Sequence, residues 1–250
     1  MVVSPARPMA AGSVVTTVHR GGFEALELEM PAGAVVWAEP GAFVSGSGDL
    51  DFAVTAAGSV RAMIGRLLSG ERLMRQRIMA RGPSRVVLAG EGPGGVLEIP
   101  MRTGDVLRAT RGALLATLGS VQPRLFLDRH FARGVFTGMG WAQQELRGEG
   151  TAFLHAIGAI LRYDLRPGET MAVQPDSIVA YDASARLDLR LWSNVVAGMF
   201  GGEGWFFCQV TGPGRVWVQS LSAHRALRQL RRTRRTSAHS SRTQIEEGTR

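Results

Sequence analysis

The sequence predicts an all-β protein built from three tandem copies of one small β-unit. Two internal echoes and the glycine content carry that reading. With Gly33, Gly104 and Gly168 in register, Leu26, Leu28 and Met30 align with Leu97, Ile99 and Met101, and with Leu161, Tyr163 and Leu165. The residues between are Glu27 and Glu29, Glu98 and Pro100, Arg162 and Asp164. Apolar and polar positions therefore alternate with period two, as in a half-buried strand. In the second echo, Gly82, Gly148 and Gly212 each lead into an apolar run: Val86-Val87-Leu88, Ala152-Phe153-Leu154 and Val216-Trp217-Val218. The echoes recur every 71 and 64 residues for the first and every 66 and 64 for the second. A period near 65 residues exceeds that of leucine-rich or ankyrin repeats and suits a unit of several short strands. The 32 glycines supply the turns such a protein needs.

Within each copy the strand before the glycine is followed by a turn, a short strand, a second turn and another strand. The short strands are Val35 to Ala38, Val106 to Ala109 and Thr170 to Val173, and the strands after them begin at Ala42, Ala113 and Ser177. Arg166-Pro167-Gly168 fits a type II turn, with glycine at the position that needs φ > 0. Pro31-Ala32-Gly33 is offset by one residue, so turn type is expected to vary among the copies. Eight residues after each glycine stand Gly41, Gly112 and Asp176, types that tolerate left-handed backbone. Gly33, Gly104, Gly168, Gly82, Gly148 and Gly212 are read as structural repeat turns.

Two insertions break the pattern. In the first, Val60, Met63, Ile64, Leu67 and Leu68 form a helical stripe ending at Ser69-Gly70; in the second, Val195, Val196, Met199 and Phe200 precede Gly201-Gly202. Short helices are expected near 57–79 and 194–200, capping the β-body or presenting an apolar surface. The chain divides into an N-terminal segment (1–14), a triplicated body (15–222, with units about 15–80, 81–146 and 147–220) and a basic tail (223–250).

Much chemistry is missing from the pattern. All 29 basic residues are arginine, so catalytic and P-loop lysines are excluded. The single cysteine, Cys208, permits no intrachain disulfide and fits a small buried hydrophobe. His19, His130, His155, His224 and His239 have no metal-ligand spacing, and no HExxH, GxSxG or strand-flanked GxGxxG is present. Asp49, Asp51, Glu71, Glu91, Asp128 and Asp182 show no pairing with a nucleophile. No catalytic, cofactor or metal residue is therefore assigned, and no cofactor is expected. The start of the chain lacks a continuous apolar signal segment, and no apolar stretch reaches the roughly 18 residues of a transmembrane helix.

The net charge of +8 is uneven: residues 223–250 carry eight arginines and two glutamates, leaving a net of about +2 for the body. Ser222 fits a helix N-cap, with Ala223, Ala226, Leu227 and Leu230 on one face. Arg225, Arg228, Arg231, Arg232, Arg234 and Arg235 are the candidate contacts to an anionic surface, a membrane or, without sequence specificity, a nucleic acid. From Thr236 onward the composition reads as disordered.

Residues 65–83, including Gly65-Arg66-Leu67-Leu68-Ser69-Gly70-Glu71 and Ala80-Arg81-Gly82-Pro83, resemble one block of the altered-inheritance-of-mitochondria family. Gly201-Gly202-Glu203-Gly204-Trp205-Phe206-Phe207, followed by Thr211-Gly212-Pro213-Gly214-Arg215, resembles a second and more specific block. The likeness covers about residues 15–222. It implies tandem double-stranded β-helix units, jelly-roll-like sandwiches of the kind in the tryptophan RNA-binding attenuation protein, and bacterial members assembled as rings. No tryptophan-binding residue of that protein maps here. Arg72, and Leu73-Met74 in place of a typical Phe, depart from the family pattern.

Together these observations favour a non-enzymatic β-scaffold, cytoplasmic or peripheral to a membrane. A homo-oligomer, with a trimer favoured, would remove the open strand edges left by the end units. A nucleic-acid-binding ring and a small-ligand β-barrel module stay open as alternatives. Glu27 and Glu98 opposite Arg162 count against an equivalent basic position in all copies.

Overall fold

The computed structural model describes residues 13–56, 74–110, 112–126, 143–191 and 206–221. These form nineteen strands and one 3₁₀ turn, Pro175–Ser177, with no α-helix among the described residues. After β1 (Val15–His19), the strands fall into three sets of six. The first set is β2 (Ala25–Met30), β3 (Val35–Ala38), β4 (Phe43–Ser47), β5 (Leu50–Ala56), β6 (Met74–Ala80) and β7 (Ser84–Ala89). The second is β8 (Gly94–Met101), β9 (Val106–Thr110), β10 (Leu114–Gly119), β11 (Gln122–Phe126), β12 (Gln143–Arg147) and β13 (Gly150–Ile157). The third is β14 (Ile160–Leu165), β15 (Thr170–Val173), β16 (Ile178–Asp182), β17 (Arg186–Leu191), β18 (Phe206–Thr211) and β19 (Gly214–Gln219).

The same pairing recurs in every set. First pairs with sixth and sixth with third, as in β2-β7-β4; second pairs with fifth and fifth with fourth, as in β3-β6-β5. Registers match as well: Leu28 faces Val86, Ile99 faces Ala152 and Tyr163 faces Val216. The sets are joined by strand pairing between the third strand of one and the second strand of the set before it. β10 pairs with β3 and β16 pairs with β9, giving two six-stranded sheets, β5-β6-β3-β10-β13-β8 and β11-β12-β9-β16-β19-β14.

The turns show why the first echo exists. Gly33, Gly104 and Gly168 have φ of 83°, 94° and 78°. Each closes the same i→i+3 bond: Ala34 N–H donates to the Pro31 carbonyl, Asp105 N–H to Arg102 and Glu169 N–H to Arg166, at 3.0–3.1 Å. The expected variation in turn geometry is therefore absent; proline merely sits one place earlier in the first copy. At the second turn Gly41 and Gly112 are left-handed, but Asp176 lies in the 3₁₀ turn, and no non-glycine residue among those described has positive φ. A different glycine demand acts at Gly94, where a Cβ would lie 1.9 Å from the Ala156 carbonyl oxygen.

Helix was expected near 57–79, yet residues 74–80 are strand β6, paired on both sides by β5 and β3. Ile78 and Ala80 alternate inward there, and the apolar stripe that suggested helix ends before Ser69. Residues 57–73 and the helix expected near 194–200 lie outside the described residues.

Three hydrophobic cores follow the three sets. The first contains Leu26, Leu28, Val36 and Ile78 and takes in Leu115 and Ala116 from the second set. The second contains Ile99, Leu107 and Leu146 and takes in Val179 and Ala180 from the third. The third is built around Tyr181, Cys208 and Val210. Equivalent register does not give equivalent burial: Leu28 and Ile99 are 0% and 2% exposed, whereas Tyr163, in the last set, is 40% exposed.

Gly94→Ala is expected to destabilise the fold by about 2 kcal/mol or more, because backbone rather than a flexible side chain blocks the methyl. Gly82→Ala, with nothing within 4 Å of the new methyl, should stay within about 0.5 kcal/mol of the parent in denaturant unfolding.

Candidate functional site: the joints between strand sets

The joints arise from one bulge used three times. Phe43-Val44, Leu114-Leu115 and Ile178-Val179 are adjacent apolar pairs that break the period-two pattern. Pairing skips one residue in each: from Phe43 to Ser45, Leu114 to Ala116 and Ile178 to Ala180. A bulge turns its extra residue out of the ladder and bends the strand. Here Leu115 and Val179 go into the core of the preceding set, 2% and 1% exposed. Burying such a side chain contributes roughly 1.5–3 kcal/mol. The carbonyl of Leu115 also accepts a 2.9 Å bond from Glu39 N–H, and Thr110 Oγ1 donates to the Ile178 carbonyl at 2.6 Å.

Each joint carries its own buried polar pair. Between the first and second sets, the Arg75 guanidinium donates to Thr117 Oγ1 and lies 5.0 Å over the Trp37 ring. Burial pulls the Arg75 pKa down, opposed by the Glu39 carboxylate. Between the second and third, Tyr181 OH donates to Gln143 Oε1 at 2.7 Å. By register, Arg75 and Gln143 occupy one repeat position and Thr117 and Tyr181 another. Hydrogen-bonded pairs of this kind fix which surfaces meet, because a mismatch leaves a buried polar group unpaired.

Beside the second joint lies a cleft of about 340 Å³ lined by Ile99, Met101, Asp105, Asp182, Ser184 and Arg215. Its main charges pair with each other. Arg215 donates through Nε and Nη2 to Asp182 at 2.8 and 2.9 Å and stacks 5.1 Å from the Trp217 ring. That bond to Asp182 is the leading cause of the raised Arg215 pKa. Several other acids behave alike. Asp51 bridges Arg77 and Arg81, Glu27 and Glu29 flank Arg85, and Glu145 joins Arg108 to Arg147. Apart from Glu145 with Arg147, two residues apart on β12, these are pairs between neighbouring strands, individually worth little but fitted to the register. Cys208 is fully buried, and burial pushes its thiol up to about 12, which removes it as a nucleophile near neutral pH. No cluster of metal-ligating side chains occurs among the described residues.

Residues 15–221 match the family described as Mitochondrial biogenesis AIM24. The chain belongs to this family. It is 30% identical over 166 residues to "Altered inheritance of mitochondria protein 24, mitochondrial" of Yarrowia lipolytica, covering 64% of this chain and 51% of the relative. The protein of the same name from Talaromyces marneffei is 25% identical over 181 residues, 70% of this chain and 43% of the relative. The chain thus spans about half the length of the curated relatives it matches. A solved protein from Streptococcus pyogenes shares the fold, with a TM-score of 0.71 and 23% identity over 88% of this chain and 100% of that one. The relatives are named as mitochondrial, and no described helix of this AIM24-family chain is long and apolar enough to cross a membrane.

Of the residues expected to be functional, Arg225, Arg228, Arg231, Arg232, Arg234 and Arg235 lie outside the described residues. The repeat glycines are placed at the turns. Gly33, Gly104, Gly168 and Gly148 need positive φ, whereas Gly212 is required by space, since a Cβ there would lie 2.4 Å from the Arg166 carbonyl. Gly82 has ordinary φ and open space, and nothing in the structure explains glycine there. The joint residues Arg75, Thr117, Gln143 and Tyr181 were not singled out in the sequence; the doubled apolar residues at each bulge are the signal that locates the joint.

His155, equivalent by register to Ala89 and Gln219, packs its ring against Gly90 in a buried position. Burial lowers its pKa, opposed by a backbone bond at Gly92 and by Glu24. The unfolded chain therefore takes up this proton at higher pH than the native one, so stability is lost as pH falls through the ordinary histidine range. Urea midpoints are expected to drop between about pH 7.5 and about pH 5.5, and to drop less in His155→Gln. An identical slope in the variant would contradict this assignment.

Proposed function

We propose that this AIM24-family chain is a non-enzymatic, self-assembling β-scaffold held at an anionic membrane surface by its C-terminal arginines. The observation that supports it most is where the buried polar side chains go: Arg75 with Thr117 and Gln143 with Tyr181 tie one strand set to the next. In the cleft, Asp182 is likewise taken up by Arg215, and Asp105 accepts from the Arg102 N–H. The repeated unit and the names of the fungal relatives support a structural role in mitochondrial biogenesis or its counterpart. The repeat of two three-stranded layers supports the tryptophan RNA-binding attenuation protein-like variety of double-stranded β-helix. The attachment rests on charge: at about 1 kcal/mol per basic residue near an anionic bilayer, six arginines give loose, salt-sensitive binding.

Flotation with phosphatidylserine-containing vesicles tests the attachment. The full chain is expected to float at low salt, to be released as ionic strength rises, and to lose flotation when the chain ends at Ala223. Undiminished flotation of the shortened chain would show that the arginines are not the anchor.

A further inference from the structure

Two strand edges at opposite ends of the repeat are matching halves of a joint. β4 ends the sheet β1-β2-β7-β4, and β15 ends the sheet β15-β18-β17. β4 is the repeat equivalent of β10 and β16, and β15 that of β3 and β9, the very strands that pair at the two internal joints. Unlike those four, β4 and β15 do not pair with a neighbouring set among the described residues. Their exposure differs accordingly. Val44 is 60% exposed, whereas its equivalents Leu115 and Val179 are 2% and 1% exposed. Met171 on β15 is only partly buried, whereas its equivalents Val36 and Leu107 lie in the cores. β4 has already made the bulge that serves the joint.

We propose that β4 of one chain pairs antiparallel with β15 of a second copy of this chain, building a third joint head to tail. The internal registers place Ser45 opposite Val173, Gly46 opposite Ala172 and Ser47 opposite Met171. Val44 enters the third core, the one that receives no residue from a following set. The Val44 carbonyl accepts from Gln174 N–H, as that of Leu115 accepts from Glu39. At the position of the polar pairs, where the internal joints have Arg75 with Thr117 and Gln143 with Tyr181, the repeat places Phe207 and Gly46, and Leu50 and Phe43 of the first set already fill the space beside Gly46. A head-to-tail contact leaves one β4 and one β15 edge at the ends of any open assembly and none in a ring.

This inference rests on the assembling-scaffold reading and names its partner. The test measures mass in solution with the full chain. The parent is expected at multiples of the single-chain mass, and Val44→Glu, which in an isolated chain only changes an exposed side chain, at single-chain mass with an unchanged far-UV spectrum. Burying an unpaired carboxylate should move assembly to at least about 100-fold higher concentration. Chains carrying Ser47→Cys, mixed with chains carrying Met171→Cys, are expected to form a mixed disulfide, with buried Cys208 silent. A chain carrying both substitutions that closes the disulfide within itself would overturn pairing to a second copy. Assembly indifferent to Val44→Glu, with no mixed disulfide, would overturn this joint while leaving the scaffold reading intact. Single-chain mass for the parent at every concentration would overturn both. Flotation is independent of all these outcomes.

Discussion

Antiparallel pairing between the third strand of one set and the second strand of the set before it is the interaction on which the rest of the structure depends. A three-stranded layer by itself leaves ladder groups unpaired at both edges and much of its apolar face uncovered. The joint addresses both problems together. It joins two short layers into one six-stranded sheet, and its bulge sends Leu115 or Val179 into the neighbouring core. The adjacent sets therefore share their cores as well as their sheets.

The same constraint explains where polar chemistry is found. A buried guanidinium such as Arg75 is tolerable only with its partners in place, here Thr117 and the face of Trp37. On the sheet faces, arginine and acid alternate across strands at positions that the period-two pattern assigns to solvent, as with Arg85 between Glu27 and Glu29. These charges follow the register of the fold. A reading of the acids one by one, in search of a general acid or base, meets residues such as Asp51 and Asp182 already paired with arginine.

Much of this was legible in the sequence. The all-β class, the tripling and the glycine turns follow from local rules: period-two alternation, and φ > 0 at Gly33, Gly104 and Gly168. The order of strands in the sheets did not follow, because consecutive strands such as β6 and β7 belong to different sheets, and alternation carries no record of which edge meets which. The strand at 74–80 was hidden by the helical stripe before it. The burial of Leu28 and Ile99 against the exposure of Tyr163 was hidden too, since position in the whole array decides it. The joint left a trace in the doubled apolar residues Phe43-Val44, Leu114-Leu115 and Ile178-Val179, yet Arg75, Gln143 and Tyr181 gain meaning only once the register is known.

Hydrogen exchange, read strand by strand over a range of protein concentrations, tests the equivalence of the joints most directly. On this account β3, β9, β10 and β16 stay protected at all concentrations, while β4 and β15 gain protection together as concentration rises. Exchange from β4 and β15 that is fast and independent of concentration, or protection of one without the other, would contradict it.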